Sequence, residues 1–67
     1  MKREYYIDGE KVSRYTFFKQ LEATTLNMWR IDSAWFCFEE YYAYIKAEIR
    51  RGKVVSYGHT FWSEVVE

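Results

Sequence analysis

Asp8-Gly9 constrains the fold of this chain more than any other pair of residues. It stands between "YYI" and "EKV", and a two-residue loop of this composition tolerates the positive φ angles that a tight β-hairpin needs. Counting outward from the turn sets the register, with Tyr5 opposite Val12 and Ile7 opposite Glu10. Tyr5, Ile7 and Val12 then share one face, and Tyr6 and Lys11 share the other. A lone two-stranded hairpin is marginal in water, so its apolar face must be covered. The chain supplies the cover at once. Ser13 has the chemistry of a helix N-cap, and Val12 and Phe17 have the spacing of a hydrophobic staple. The spacing predicts a helix from Arg14 to about Ala23, with Phe17, Phe18 and Leu21 inward and Arg14, Lys19, Gln20 and Glu22 outward. Thr24-Thr25 should weaken it, because β-branched residues lower helix propensity. Residues 26 to 31, "LNMWRI", read equally as a loop, an extended bridge or a continuation of that helix.

A second cap signal follows at Asp32, with Ile31 and Phe36 spaced as a staple. A second helix is expected from Ser33 to about Arg51. Glu39 and Glu40 lie towards its start, Arg50 and Arg51 at its end, and Gly52 at the position after the C-cap, a polarity that suits the helix dipole. Ala34, Phe38, Tyr41, Tyr42, Ile45 and Ile49 form its inner stripe. Trp35, Phe36, Cys37, Tyr44 and Ala47 lie beside or outside that stripe, so burial on two sides is expected. After Gly52, "KVVSYGHTFWSEVV" reads as a second hairpin, with strands near 53–57 and 60–66 and a turn at Gly58-His59. A two-residue loop would pair Tyr57 with Thr60 and Val55 with Trp62; a three-residue loop would pair Tyr57 with Phe61. The expected fold is α+β: two β-hairpins forming one small antiparallel sheet packed against two helices, in the order β-β-α-α-β-β.

Length and composition limit what this fold can rest on. Sixty-seven residues make one domain, 1–67, with one small core. Cys37 is the single cysteine, so no intrachain disulfide can staple it, and a reduced thiol suits an intracellular, cytoplasmic setting. The chain holds seven Tyr, five Phe and three Trp but no Pro, and each buried ring removes about 150–250 Å² from water. A few rings fill such a core, and the remainder must lie at the surface or in an interface. A net charge of zero provides no long-range field to gather nucleic acid or anionic lipid. No apolar run approaches the roughly 20 residues of a membrane span, and the N-terminus has no signal-peptide pattern.

Chemistry-bearing residues are sparse. His59 is the only histidine and has no ligand-spaced partner, which reads as a turn residue chosen for conformation. Cys37 sits in "WFCFEE" without a base or an electropositive neighbour, as a buried apolar thiol would. Glu39 and Glu40 are adjacent and diverge by about 100° on a helix, which argues against a paired acid/base role. No catalytic residue, metal site, cofactor or small-molecule substrate is implied, and no enzymatic activity is expected. Lys46, Arg50, Arg51 and Lys53 form the one basic concentration, explained by the helix C-terminus or, alternatively, by an anion or nucleic acid. Core filling accounts for Tyr5, Phe17, Phe18, Phe38, Tyr41 and Phe61. It accounts less well for Tyr6, Trp29, Trp35, Phe36, Tyr44, Tyr57 and Trp62, and Trp and Tyr are enriched at interface hot spots.

The opening pattern of aromatic strand, "DGEK" turn, Val-Ser cap and Phe-Phe in the first helix resembles the start of small uncharacterised proteins of Gram-positive phages and prophages, over 18 of the 67 residues. The stretch "YIKAEIRRGKVVSYGHTFWSEVV" is similar to the body of bacterial HU-type DNA-binding proteins. The long basic arms of those proteins have no counterpart here, so DNA binding is not expected to carry over. The leading expectation is a small interaction protein, phage- or prophage-encoded, that contacts a protein partner or a second copy of itself as a homodimer through Trp29, Trp35, Tyr44 and Trp62. The alternative is a nucleic-acid-binding accessory protein that uses Lys46, Arg50, Arg51 and Lys53, with tyrosines stacking on bases.

Overall fold

A computed structural model describes residues 2–31 and 37–66. The elements are β1 (Lys2–Ile7), β2 (Glu10–Val12), α1 (Arg14–Ile31), α2 (Phe38–Arg50), β3 (Val55–Tyr57) and β4 (His59–Val66). The strands form one four-stranded antiparallel sheet in the order β2-β1-β4-β3, with the helices on one face, as the α+β reading expects. The two hairpins therefore lie side by side. They are joined along β1 and β4, from Lys2 opposite Val66 to Ile7 opposite Phe61.

The first hairpin has the register read from its turn, with Tyr5 opposite Val12, Tyr6 opposite Lys11 and Ile7 opposite Glu10. Asp8 and Gly9 both have positive φ, 52° and 83°, as a primed turn requires. Ser13 caps α1: its Oγ accepts the Thr16 N–H at 3.1 Å, and its carbonyl accepts the Phe17 N–H at 2.9 Å.

Four sequence expectations need correction. α1 does not stop near Ala23 but runs on to Ile31, so "LNMWRI" continues the helix. Thr24 and Thr25, expected to weaken it, are buried, and tertiary packing outweighs the small propensity cost of two β-branched residues. α2 does not begin at Ser33, because Cys37 is extended (φ −139°, ψ 157°) and serves as the N-cap of a helix starting at Phe38. The cap expected at Asp32, the Phe36 side of the staple with Ile31, and the inner or outer placement of Ala34, Trp35 and Phe36 lie outside the described residues, while Ile31 is the exposed last residue of α1. The second hairpin takes neither proposed register: Val55 faces Phe61, Ser56 faces Thr60 and Tyr57 faces His59, around Gly58 with φ 72°.

The junction after α2 explains the short third strand. Gly52, in a left-handed conformation, donates its N–H to the Ile49 carbonyl at 3.0 Å, and Lys53 donates to the Glu48 carbonyl at 3.1 Å. This pair of bonds is a Schellman closure of the helix, so Lys53 is still capping α2 and cannot yet pair as a strand. His59 joins β4 because the β1 ladder reaches past Ile7: the Asp8 N–H donates to the Thr60 carbonyl at 2.8 Å.

Phe17, Leu21, Ile45, Ile49 and Phe61 form the buried core, with Tyr5, Ile7, Val12, Phe18, Tyr41, Tyr42 and Val55 packed round it. Phe17 is its centre, with ring centroids 4.9 Å from Tyr5, 5.2 Å from Phe18 and 5.7 Å from Phe61. Each such side chain, fully buried, contributes about 1.5–3 kcal/mol. A polar connection also joins the sheet to α2. Ser63 Oγ donates to the Ile49 carbonyl at 3.1 Å and accepts from Arg3 Nη1 at 3.0 Å, while Arg3 Nη2 donates to the Arg50 carbonyl at 3.2 Å. Arg3 thus brings a positive charge to the C-terminal end of α2, where the helix dipole favours one. Thr25 Oγ1 is buried and has no hydrogen-bond partner among the described residues.

Candidate functional site

Of the four aromatic residues singled out from the sequence, the three described ones do not share one surface. Trp29 is half-buried near the end of α1, with its ring edge-on to Phe38 at 6.2 Å. Tyr44 is exposed on α2, and Trp35 lies outside the described residues. Trp62 alternates with the buried Phe61 and Ser63, so it points to the sheet face away from both helices. The sheet itself separates Trp62 from Trp29 and Tyr44.

On that outer sheet face Trp62 is opposite Tyr6, and the two rings stack at 4.5 Å. Glu4 and Glu64 are also opposite each other, a placement that alone would be repulsive. The Tyr6 hydroxyl lies between them, 3.0 Å from Glu4 Oε1 and 3.4 Å from Glu64 Oε1, and Lys11 Nζ donates to Glu4 Oε2 at 2.7 Å. The Lys11 bond, then the Tyr6 bond, hold the Glu4 carboxyl below its ordinary pKa. The Tyr6 phenol is raised, first by its bond to Glu4 and then by desolvation.

The basic concentration is divided in the same way. Arg51 Nη1 and Lys53 Nζ both approach Glu48, at 3.2 and 3.8 Å, so their charge is locally offset. Lys46 and Arg50 instead join Arg14, Phe18 and Tyr42 around a cleft between the helices. The cleft shares Arg14, Phe18 and Tyr42 with a groove of about 670 Å³ that Tyr15, Lys19 and Glu22 also line. Tyr42 braces it, donating its hydroxyl hydrogen to the Phe18 carbonyl at 3.1 Å. Burial, and then the nearby Glu22 carboxylate, push the Tyr42 phenol up.

Three cations sit over the three rings of this groove. Arg14 lies 5.9 Å from the Phe18 ring centre, Lys19 5.5 Å from Tyr15 and Lys46 4.6 Å from Tyr42. Each pair is spaced i,i+4, so adjacent turns of one helix bring ring and charge together. Sequence reasoning assigned Arg14 and Lys19 to solvent and Phe18 and Tyr42 to the core. The i,i+4 pairing was the signal that would have grouped them.

A second arrangement missed in the sequence lies at the hairpin tips. Asp8 Oδ2 is 2.8 Å from His59 Nδ1, and Asp8 Oδ1 accepts the Thr60 N–H at 2.9 Å. The His59 bond, then the Thr60 bond, hold the Asp8 carboxyl below its usual range. His59 therefore ties one turn to the other, a role that its separation of 51 residues from Asp8 hid.

Among the described residues no group of three His, Cys, Asp or Glu side chains is placed to hold a metal ion. Among them, too, no helix is long and apolar enough to cross a membrane. No protein-family model, curated protein or solved structure matches the chain.

Proposed function

We propose that this is a small intracellular interaction protein that works by protein–protein contact, with the groove between α1 and α2 as its contact surface. The observation that carries the reading is the groove's content. Tyr15, Phe18 and Tyr42 line an open concavity, and Arg14, Lys19, Lys46 and Arg50 have no ion-pair partner among the described residues. Aromatic rings and arginine are the side chains that most often anchor protein interfaces. The protein acts by occupying part of its partner's surface, which requires neither a cofactor nor a substrate. The resemblance of residues 5–22 to proteins of Gram-positive phages and prophages supports a phage or prophage origin, and the single cysteine supports the intracellular setting.

The test is affinity capture from a lysate of the encoding cell, run in parallel with the Tyr15→Ala/Lys46→Glu and Trp62→Ala variants, and light scattering of each purified protein. A partner, or a homodimer, that is lost with the groove variant and kept with Trp62→Ala is the expected result. Association that ignores the groove and fails with Trp62→Ala would move the function to the outer sheet face. A monomer that captures nothing would overturn the reading.

A further inference from the structure

We infer that the groove between α1 and α2 takes an acidic segment of a partner protein, with carboxylates on its cations and an apolar side chain against Phe18. The inference rests on the contact reading above and adds the chemistry of what binds. Although the chain is neutral overall, the groove and its adjoining cleft gather Arg14, Lys19, Lys46 and Arg50 against a single carboxylate, Glu22. Several of the other cations have local partners: Lys11 has Glu4, Arg51 and Lys53 have Glu48, and Arg3 has the end of α2. Charge of one sign is thus left without an ion-pair partner among the described residues in a concavity that is also aromatic.

The contacts that the rings already make favour an acidic peptide over a nucleic acid. Single-stranded nucleic acid gains much of its affinity by stacking bases on aromatic faces. Tyr42 already has Phe38 stacked near-parallel at 5.5 Å and Lys46 4.6 Å from its ring centre, which leaves less of its ring surface for a base. Tyr15 has Lys19 near its ring as well, and its hydroxyl accepts a hydrogen bond from that lysine at 3.4 Å. Those cations remain open to carboxylates, which approach from the solvent side without displacing them. Between the charges, the Phe18 ring offers an apolar floor, and Glu22 can accept a backbone N–H from a bound peptide. Opposed charge at such a site raises the association rate and rejects partners of the wrong sign.

The test uses a fluorescein-labelled peptide of alternating Glu and Asp around a central Leu-Phe pair, its Gln/Asn counterpart, and a labelled oligothymidine, each titrated into the whole protein. The acidic peptide is expected to bind at least about tenfold more tightly than the amide peptide, and the affinity to fall as salt rises. Amide chemical shifts should move along residues 14–22 and 42–50 and stay fixed along β1 and β4. Arg14→Glu/Lys46→Glu should abolish binding; Lys46→Gln alone, which keeps the side-chain bulk, should weaken it by about threefold to tenfold and guards against a folding defect in the double variant. Equal binding of the acidic and amide peptides, shifts centred on the sheet, or oligothymidine displacing the peptide would each overturn the inference. A captured partner that depends on the groove while no acidic peptide binds would sink this inference and leave the contact reading standing.

Discussion

The two aromatic surfaces of this protein differ in how completely they satisfy themselves. On the outer sheet face, Tyr6 stacks on Trp62, its hydroxyl bridges two facing carboxylates, and Lys11 is paired with Glu4. In the interhelical groove the rings are met by cations, and those cations have no carboxylate partner among the described residues. The first arrangement is closed chemically and stabilises the sheet. The second leaves charge and ring together at an open surface, where a partner can complete them. Aromatic exposure by itself does not distinguish these cases; the pairing state of the polar groups around the rings does.

The comparison can be broken most directly at Trp62. Trp62→Ala removes the stack on Tyr6 and the burial it provides, and is expected to cost about 2 kcal/mol in urea denaturation while leaving acidic-peptide binding unchanged. A loss of binding with no loss of stability would reverse the assignment of the two surfaces. Tyr6→Phe keeps the stack and deletes the hydroxyl between Glu4 and Glu64, so a loss of stability smaller than that of Trp62→Ala is expected from the same measurement.

Acid should act on the sheet side as well. Glu4 and Asp8 have folded pKa values below their ordinary ones, so their contribution is present above the ordinary carboxylate range and is lost as pH falls through the lowered values, where the unfolded chain binds more protons. The urea midpoint should therefore drop on acidification below the ordinary carboxylate range. Glu4→Gln and Asp8→Asn should each flatten that drop, and an unaltered acid limb in both would remove the two carboxylates from the account. The smallest effect on stability is expected in the groove. Arg14→Ala and Lys46→Ala should each stay within about 0.5 kcal/mol of the parent, because a single cation over a ring at a surface contributes little. A loss of more than about 1 kcal/mol from either would make the groove a structural device like the sheet face.

Local grammar made much of the fold legible. Asp8-Gly9 placed the first turn and its register, Ser13 placed the start of α1, and Gly52 placed the end of α2, because each of these features needs a particular backbone conformation within a few residues. The extension of α1 through Thr24 and Thr25 was not legible, since burial of those threonines depends on what packs across from them. Candidate site residues fared differently. Lys46 and Arg50 do face a shared cleft, but Arg51 and Lys53, next to them in sequence, turn to Glu48. Trp29, Tyr44 and Trp62 were grouped by residue type, and the sheet divides them.

The sequence by itself determined the order of elements, the first hairpin's register and the apolar stripes, because period, caps and turns act over distances of a few residues. Tertiary structure alone decided the register of β3 with β4, the bond from Asp8 to His59, and the meeting of three cation-ring pairs from two helices in one groove. Each of these depends on where distant segments come to rest once β1 and β4 have paired and α1 and α2 have packed on them. The pairs at 14 and 18, 15 and 19, and 42 and 46 are visible along the chain. That they face the same space is a property of the packed helices.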